Sequence, residues 1–213
     1  AISCLERFGK ENDFFSNIAN LDTFFSEYRS ITLVMQKSLA HTSHIEFYKE
    51  ASTGYFDSWL NTQRVKAVHT HPVEYSKKID VTVFFPDGSF DILSQTFTIE
   101  NDTPFEKIAE TLKSFFKRMN PNEVFFSAKY TFLEKDSAED VLSKALNGIA
   151  TMHNFMEIMY RQVGESCVLC EQLRDKIKKS TIFHIPIDFK SVDDYIYYPH
   201  KDEFERAGRF ALV

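Results

Sequence analysis

The 213-residue chain has little of what breaks or staples a fold: six glycines, six prolines and three cysteines. Collagen-like, linker-like and small disulfide-scaffold classes each need far more of one of these and are excluded. Cys4, Cys167 and Cys170 are an odd set in a chain long enough to stabilise itself by burial. A disulfide framework is therefore not expected, and a reducing cytoplasm is. No apolar run exceeds four residues, whereas a membrane helix needs about 20 and a signal peptide core at least about seven. The reading expects a cytoplasmic chain that meets no membrane. A Gly-rich phosphate loop is absent, and so is a second cysteine pair that would complete a four-ligand zinc site, so neither metal nor cofactor is expected. Positive charge is also short, with 25 Lys and Arg against 31 Asp and Glu and a net charge of −6. That balance excludes DNA wrapping and restricts any RNA contact to a small local site.

What the chain does have is aromatic bulk: 22 phenylalanines, with 43% hydrophobic residues overall. Long regular elements around an aromatic core are expected, in a single domain over 1–213. Leu21, Phe24, Phe25, Tyr28, Ile31, Met35 and Leu39 recur at three and four residues and predict a first helix. A second helical stretch runs from Glu46 through Phe47, Ala51, Tyr55 and Trp59 toward Val68, with Gly54 as its weak point and Pro72 as its limit. The period then changes to two. Ile79, Val81, Val83 and Phe85 predict a strand, Pro86, Asp87 and Gly88 a turn, and Phe90 to Ile99 the returning strand with a bulge near Leu93. Thr103, Pro104 and Glu106 mark the start of a helix that carries Phe105, Ile108, Leu112, Phe115 and Met119. Val124, Phe126, Ala128, Tyr130 and Phe132 form a third strand.

Ser137 and Asp140 then open the longest element. Leu142, Ile149, Met156, Val163, Cys170 and Ile177 fall at sevens, with Ala145, Met152, Met159 and Leu173 on a companion seam broken at Ser166. An unbroken helix from Ala138 to Lys179 would span roughly 60 Å at 1.5 Å per residue, with Gly148 and Gly164 as weak points. The helical core is thus expected over 20–72 and 137–180, a β-containing insertion over 78–135, and over 181–213 a short strand or extended segment that covers the core. The fold class that follows is mainly α, with a small antiparallel sheet inserted in an antiparallel bundle.

The candidate chemistry gathers where the second helical stretch ends. Arg64 offers two parallel donors to a phosphate, and His69 can give or take a proton near neutral pH. Lys66 and His71 are weaker binding candidates beside them. On an ideal helix His69 lies about 140° round from Arg64, so convergence on one phosphate needs the helix to end between them or a second copy to supply one of them. Elsewhere, Cys167 and Cys170 read as small core residues, since Cys170 occupies the apolar seam. His41 and His44 read as solvated, His153 as packed or half-exposed, and Asp193, Asp194, Asp202 and Glu203 as a solvated face. Arg174, Lys176, Lys178 and Lys179 make a basic helix end that the helix dipole explains.

Tyr28 to Lys37, then Phe47 and Tyr48, then Arg64 with His69 after four intervening residues, resembles the helices of prokaryotic HEPN-like proteins over Leu21 to Pro72. The resemblance implies a HEPN-like antiparallel helical bundle, a homodimer, and metal-independent RNA cleavage by 2′-hydroxyl attack, with Arg64 holding the phosphate and His69 moving a proton. Val65 follows the arginine where active members often carry a polar residue. That departure implies the alternative, a non-catalytic HEPN-like interaction or dimerisation module in a bacterial defence or regulatory system, whose heptad helix makes the partner contact.

Overall fold

The structure, a computed structural model, describes residues 1–8, 14–84, 93–99, 103, 105–116, 122–164, 168–184 and 192–207. The chain divides into two compact units where the sequence reading expects one domain. The first comprises Ala1–Glu74 with Glu139–Ile185, and the second Tyr75–Ala138 with Pro186–Val213.

The first unit is helical. Its described helices are α1 (Ile2–Arg7), α2 (Phe14–Leu39), α3 (Ile45–Ser52), α4 (Ser58–His69), α6 (Val141–Val163) and α7 (Val168–Lys179); α5 belongs to the other unit. The first part of the expected α2 face is buried, with Leu21, Phe24, Phe25 and Tyr28 in the core, whereas Ile31, Met35 and Leu39 are half-buried. The single stretch expected from Glu46 to Val68 is two helices. Gly54, at φ 71°, lies in the turn between α3 and α4, a left-handed conformation that a side chain resists. Asp57 then caps α4 by accepting from the Trp59 amide at 2.7 Å.

The expected 60 Å helix is also two elements, α6 and α7. Gly164 ends α6 at φ 69° in the left-handed region, its amide bonded back to the Tyr160 carbonyl at 3.1 Å. At the other end Asp140 is the N-cap, accepting from the Ser143 amide at 3.0 Å. Along α6 the two apolar seams are buried from Leu142 to Met159. Phe155 gathers an aromatic cluster with Tyr48, Tyr55 and Phe56, at ring separations of 5.7, 5.1 and 4.9 Å. Gly148 is required by a close approach, because a β-carbon there would stand 2.2 Å from a terminal methyl of Leu60 on α4.

The second unit contains β1 (Tyr75–Phe84), β2 (Leu93–Ile99), α5 (Phe105–Phe116), β3 (Val124–Glu134), β4 (Val192–Tyr198) and β5 (Glu203–Ala207). They form an antiparallel sheet of order β2-β1-β3-β4-β5. The β1–β2 register runs without a break from Val83 opposite Leu93 to Lys77 opposite Ile99, so the bulge expected near Leu93 does not occur within that pairing. The turn expected at Pro86 to Gly88, Phe90 and Met119 lie outside the described residues, as do Pro104 and the Glu106 side chain of the expected helix cap. Ile108, Leu112 and Phe116 of α5 share a buried core with Ile79, Val81 and Val83 of β1, Phe126 and Ala128 of β3, and Tyr195 and Tyr197 of β4. Alternation puts these residues on one face of each strand.

This architecture corrects the expected fold class. The chain is mixed α and β rather than a HEPN-like antiparallel helical bundle with a small inserted sheet. The reason lies in the segment after 181, where the expectation was one short strand or extended segment interrupted by Pro186 and Pro199. It supplies β4 and β5, which extend the sheet to five strands with its own helix-backed core. The solvated acidic face is corrected in part, since Asp202 and Glu203 are exposed as expected while Asp193 is half-buried and Asp194 buried. Asp194 is 5% exposed and accepts from the Ser127 hydroxyl across β3 and β4. Asp193 pairs with Arg206 at 2.5 Å, and Asp202 accepts from the Tyr197 hydroxyl at 2.7 Å. Asp193 and Asp194 thus link neighbouring strands, while Asp202 bonds back to β4 from the turn that follows it.

Candidate binding cleft

The four residues singled out lie along the last turns of α4 and just beyond its end. Leu60 and Gln63 are the buried residues of α4, and Arg64 stands half-buried beside them with its Nε enclosed and without a hydrogen-bond partner. His69 is the last helical residue and is exposed. Because α4 stays helical from Arg64 through His69, the two side chains leave the axis about 140° apart. Lys66 is half-exposed, and its carbonyl accepts from the Thr70 amide at 2.9 Å and the His71 amide at 3.1 Å, which closes the helix end. The exposed His71 ring donates from Nδ1 to the Pro72 carbonyl at 2.8 Å.

The helical unit instead holds a cleft of about 800 Å³ between α2 and the α6–α7 pair. Its floor is apolar and largely methionine: Met35 and Leu39 from α2, Met156 and Met159 from α6. Met156 and Met159 are buried below it. One wall is the α2 stripe Glu27, Ser30, Ile31, Val34 and Ser38, residues that a helix places on the flank of its core face. The opposite wall is Tyr160 and Val163 of α6 with Cys170 and Leu173 of α7, and the turn Thr42–Ser43–His44 closes one end.

The walls are held by identifiable contacts. Arg174 of α7 pairs with Glu157 of α6 at 2.7 Å and lies over the Tyr160 ring at 5.0 Å, which clamps α7 to α6 beyond the Gly164 break. Glu157 also stands 3.6 Å from the half-exposed His153 ring. At the closed end, the Thr42 hydroxyl donates to the Leu39 carbonyl at 2.9 Å and accepts from the His44 amide at 3.2 Å, an arrangement that fixes the turn after α2. Behind the floor, Tyr48 donates to the Thr32 carbonyl at 3.1 Å, and burial raises its phenol above the ordinary value.

Sequence reasoning named the seam residues but not the opening they border. Met156, Val163 and Cys170 repeat at sevens and Met159 and Leu173 lie on the companion seam, a pattern that predicts a closed interface. Gly164 ends α6 in the left-handed region, and Met156, Met159 and Val163 before it and Cys170 and Leu173 after it border the cleft. Cys170 is accordingly half-buried on a wall, where a core position was expected, and Cys167 lies outside the described residues. The signal available in the sequence was the coincidence of Gly164 with the break of the second seam at Ser166. His41 is exposed as expected, while His44 is half-exposed and borders the cleft. Among the described residues no group of three or more His, Cys, Asp or Glu is placed to hold a metal ion, and no helix is long and apolar enough to cross a membrane. No protein-family model, no curated protein and no solved structure matches this chain.

Proposed function

We propose that the helical unit is a non-catalytic binding module whose working surface is the cleft between α2 and the α6–α7 pair. One observation carries this reading: the residues with core spacing, Met156, Met159, Val163, Cys170 and Leu173, border an open volume of about 800 Å³ rather than a closed interface. That volume falls in the range of about 300–1,000 Å³ typical of small-ligand sites, which are chiefly apolar with a few polar groups. Methionine suits such a floor because its unbranched, polarisable side chain repacks around different shapes.

A fluorescent apolar dye such as anilinonaphthalene sulfonate tests the reading. The folded chain should bind it saturably, and Val34→Glu and Leu173→Glu should each abolish binding. Val34 is 42% exposed, so the substitution charges the wall without unfolding the helix, and near-UV circular dichroism verifies that. Unchanged dye binding in both variants would overturn the cleft as the site.

A second reading follows from the exposed His69 and His71 and the half-exposed Lys66 at the end of α4: a homodimer that acts on RNA, with Arg64 from one copy and His69 from the other. Incubation with a structured RNA pool in EDTA, beside Arg64→Ala and His69→Ala, should then show cleavage lost in both variants. Equal traces in all three proteins, or a monomer by sedimentation, would end this reading.

A further inference from the structure

Alternation along β1 puts Tyr75, Lys77, Ile79, Val81 and Val83 on one face, and the last three enter the core that the sheet shares with α5. A lysine therefore stands in a row of core residues. Lys77 is 7% exposed, a depth at which lysine is seldom found without a partner. Among the described residues none forms an ion pair or a hydrogen bond with its ammonium. What the ammonium meets is the Tyr130 ring, 4.6 Å from its centroid. Phe132 stands opposite Lys77 on β3, with the Tyr75 ring 5.6 Å from its own. Asp193 on β4 attracts Lys77 only from a distance, and that carboxylate is already engaged by Arg206 at 2.5 Å and by the Tyr195 hydroxyl at 3.5 Å. The Lys77 nitrogen is not among the fully enclosed atoms, so the stem is buried while the tip keeps contact with solvent.

We infer that Lys77 is a covalent carbonyl site, whose amine takes a small aldehyde as a reversible imine beside the Tyr130 ring. An amine desolvated among apolar groups and free of an ion pair is an activated nucleophile. Burial lowers the Lys77 ammonium below its ordinary value, which leaves more of the neutral form that carries a lone pair. That lone pair forms a bond to the carbonyl carbon, the carbonyl oxygen takes up a proton, and water then leaves. Aldehyde and ammonium thus give iminium and water, with no oxidant or reductant. The product keeps one positive charge on the same nitrogen, so the ring that faces the ammonium also faces the iminium. An opening confined to the tip of a buried side chain admits only a small molecule. The site belongs to the sheet unit and stands or falls apart from the cleft.

Propanal with sodium cyanoborohydride, applied to the folded full chain near neutral pH, tests this directly. Hydride reduces the iminium to a stable N-propyl lysine, and tandem mass spectrometry assigns the adduct to a residue. Lys78 is the internal control, because it is the next residue, half-exposed and on the opposite face of β1. Lys77 should gain the adduct about tenfold faster than Lys78 and than the exposed Lys178, as expected when burial raises the neutral fraction by that factor. Lys77→Arg should remove the fast adduct and leave the labelling of Lys78 unchanged, with near-UV circular dichroism to verify the fold. Labelling of Lys77 no faster than that of Lys78, or only after unfolding in urea, would overturn the inference.

Discussion

Gly148→Ala isolates the closest approach in the helical unit, and its expected effect is a balance of two opposed terms. An alanine in place of glycine inside a helix ordinarily stabilises it by about 1 kcal/mol. Here the added β-carbon would stand 2.2 Å from one terminal methyl of Leu60 and 3.4 Å from the other methyl and from its branching carbon. Carbon atoms pack at about 3.5–4.0 Å, so Leu60 must retreat by more than about 1 Å. Leu60 is 2% exposed, so its side chain must shift inside the buried interior. Overpacking of this kind costs about 1–3 kcal/mol, so the net expectation is a loss of about 1 kcal/mol despite the better helix propensity. Trp59, the sole tryptophan, lies edge-on to Phe25 at 5.9 Å and reports on this unit, so urea unfolding followed by its fluorescence is the assay. Leu60→Ala alone should cost about 2–5 kcal/mol, and adding Gly148→Ala to it should cost nothing further, because the clashing methyl is gone. A Gly148→Ala protein more stable than its parent, or strictly additive effects in the double variant, would refute the close α4–α6 packing.

Two further outcomes concern the sheet unit. Glu134 is buried and accepts from the Asp136 amide at 3.1 Å, the Ser137 amide at 2.7 Å and the Ser137 hydroxyl at 2.6 Å, so Glu134→Ala should destabilise by about 1–3 kcal/mol in urea unfolding monitored by near-UV circular dichroism. Alkaline pH should unfold this unit for a separate reason. Burial raises the phenols of Tyr130 and Tyr195 above 10.0, and pushes that of Tyr197 up to about 12 with help from its bond to Asp202. The folded state therefore holds protons that the unfolded state releases, so the stabilisation is complete below pH 10 and is lost as pH rises from 10 toward 12. Lys77 works in the opposite sense, because burial lowers its ammonium below 10.5 and stability rises as pH climbs toward that value. Phenolate absorbance should show buried tyrosines ionising only with loss of the near-UV signal; ionisation of all nine near pH 10 in a folded protein would contradict the burial.

Periodicity made most of the elements legible. The three- and four-residue spacing of Leu21 to Leu39 and the alternation from Ile79 to Val83 and Val124 to Phe132 each mark an element whose spaced residues enter a core. What periodicity hides is a turn that leaves the phase nearly intact. Met156, Val163 and Cys170 keep their seven-residue spacing across Gly164, so the seam reads as one rod although its left-handed glycine divides it. The pairing of the C-terminal segment into the sheet was hidden differently: Asp193 and Asp194 resemble a solvated surface until Ser127 and Arg206 are known to face them. The pairing of Arg64 with His69 failed to converge for a reason already legible in the spacing, since five positions on a continuous helix point two side chains apart. The cleft belongs to neither class. It is bordered by α6 and α7 on either side of the left-handed Gly164, a break that the seven-residue spacing does not mark.

Methionine methyl resonances provide the most direct test, because the five methionines are distributed to answer the question. Met35, Met156 and Met159 line the cleft, whereas Met152 is fully buried in the core away from it. In a spectrum of carbon-13 methyl-labelled methionine, titration with anilinonaphthalene sulfonate should shift the signals of Met35, Met156 and Met159 together along one saturable curve while Met152 stays in place. Shifts confined to other methyls, or none at saturating ligand, would contradict a binding module built around this cleft.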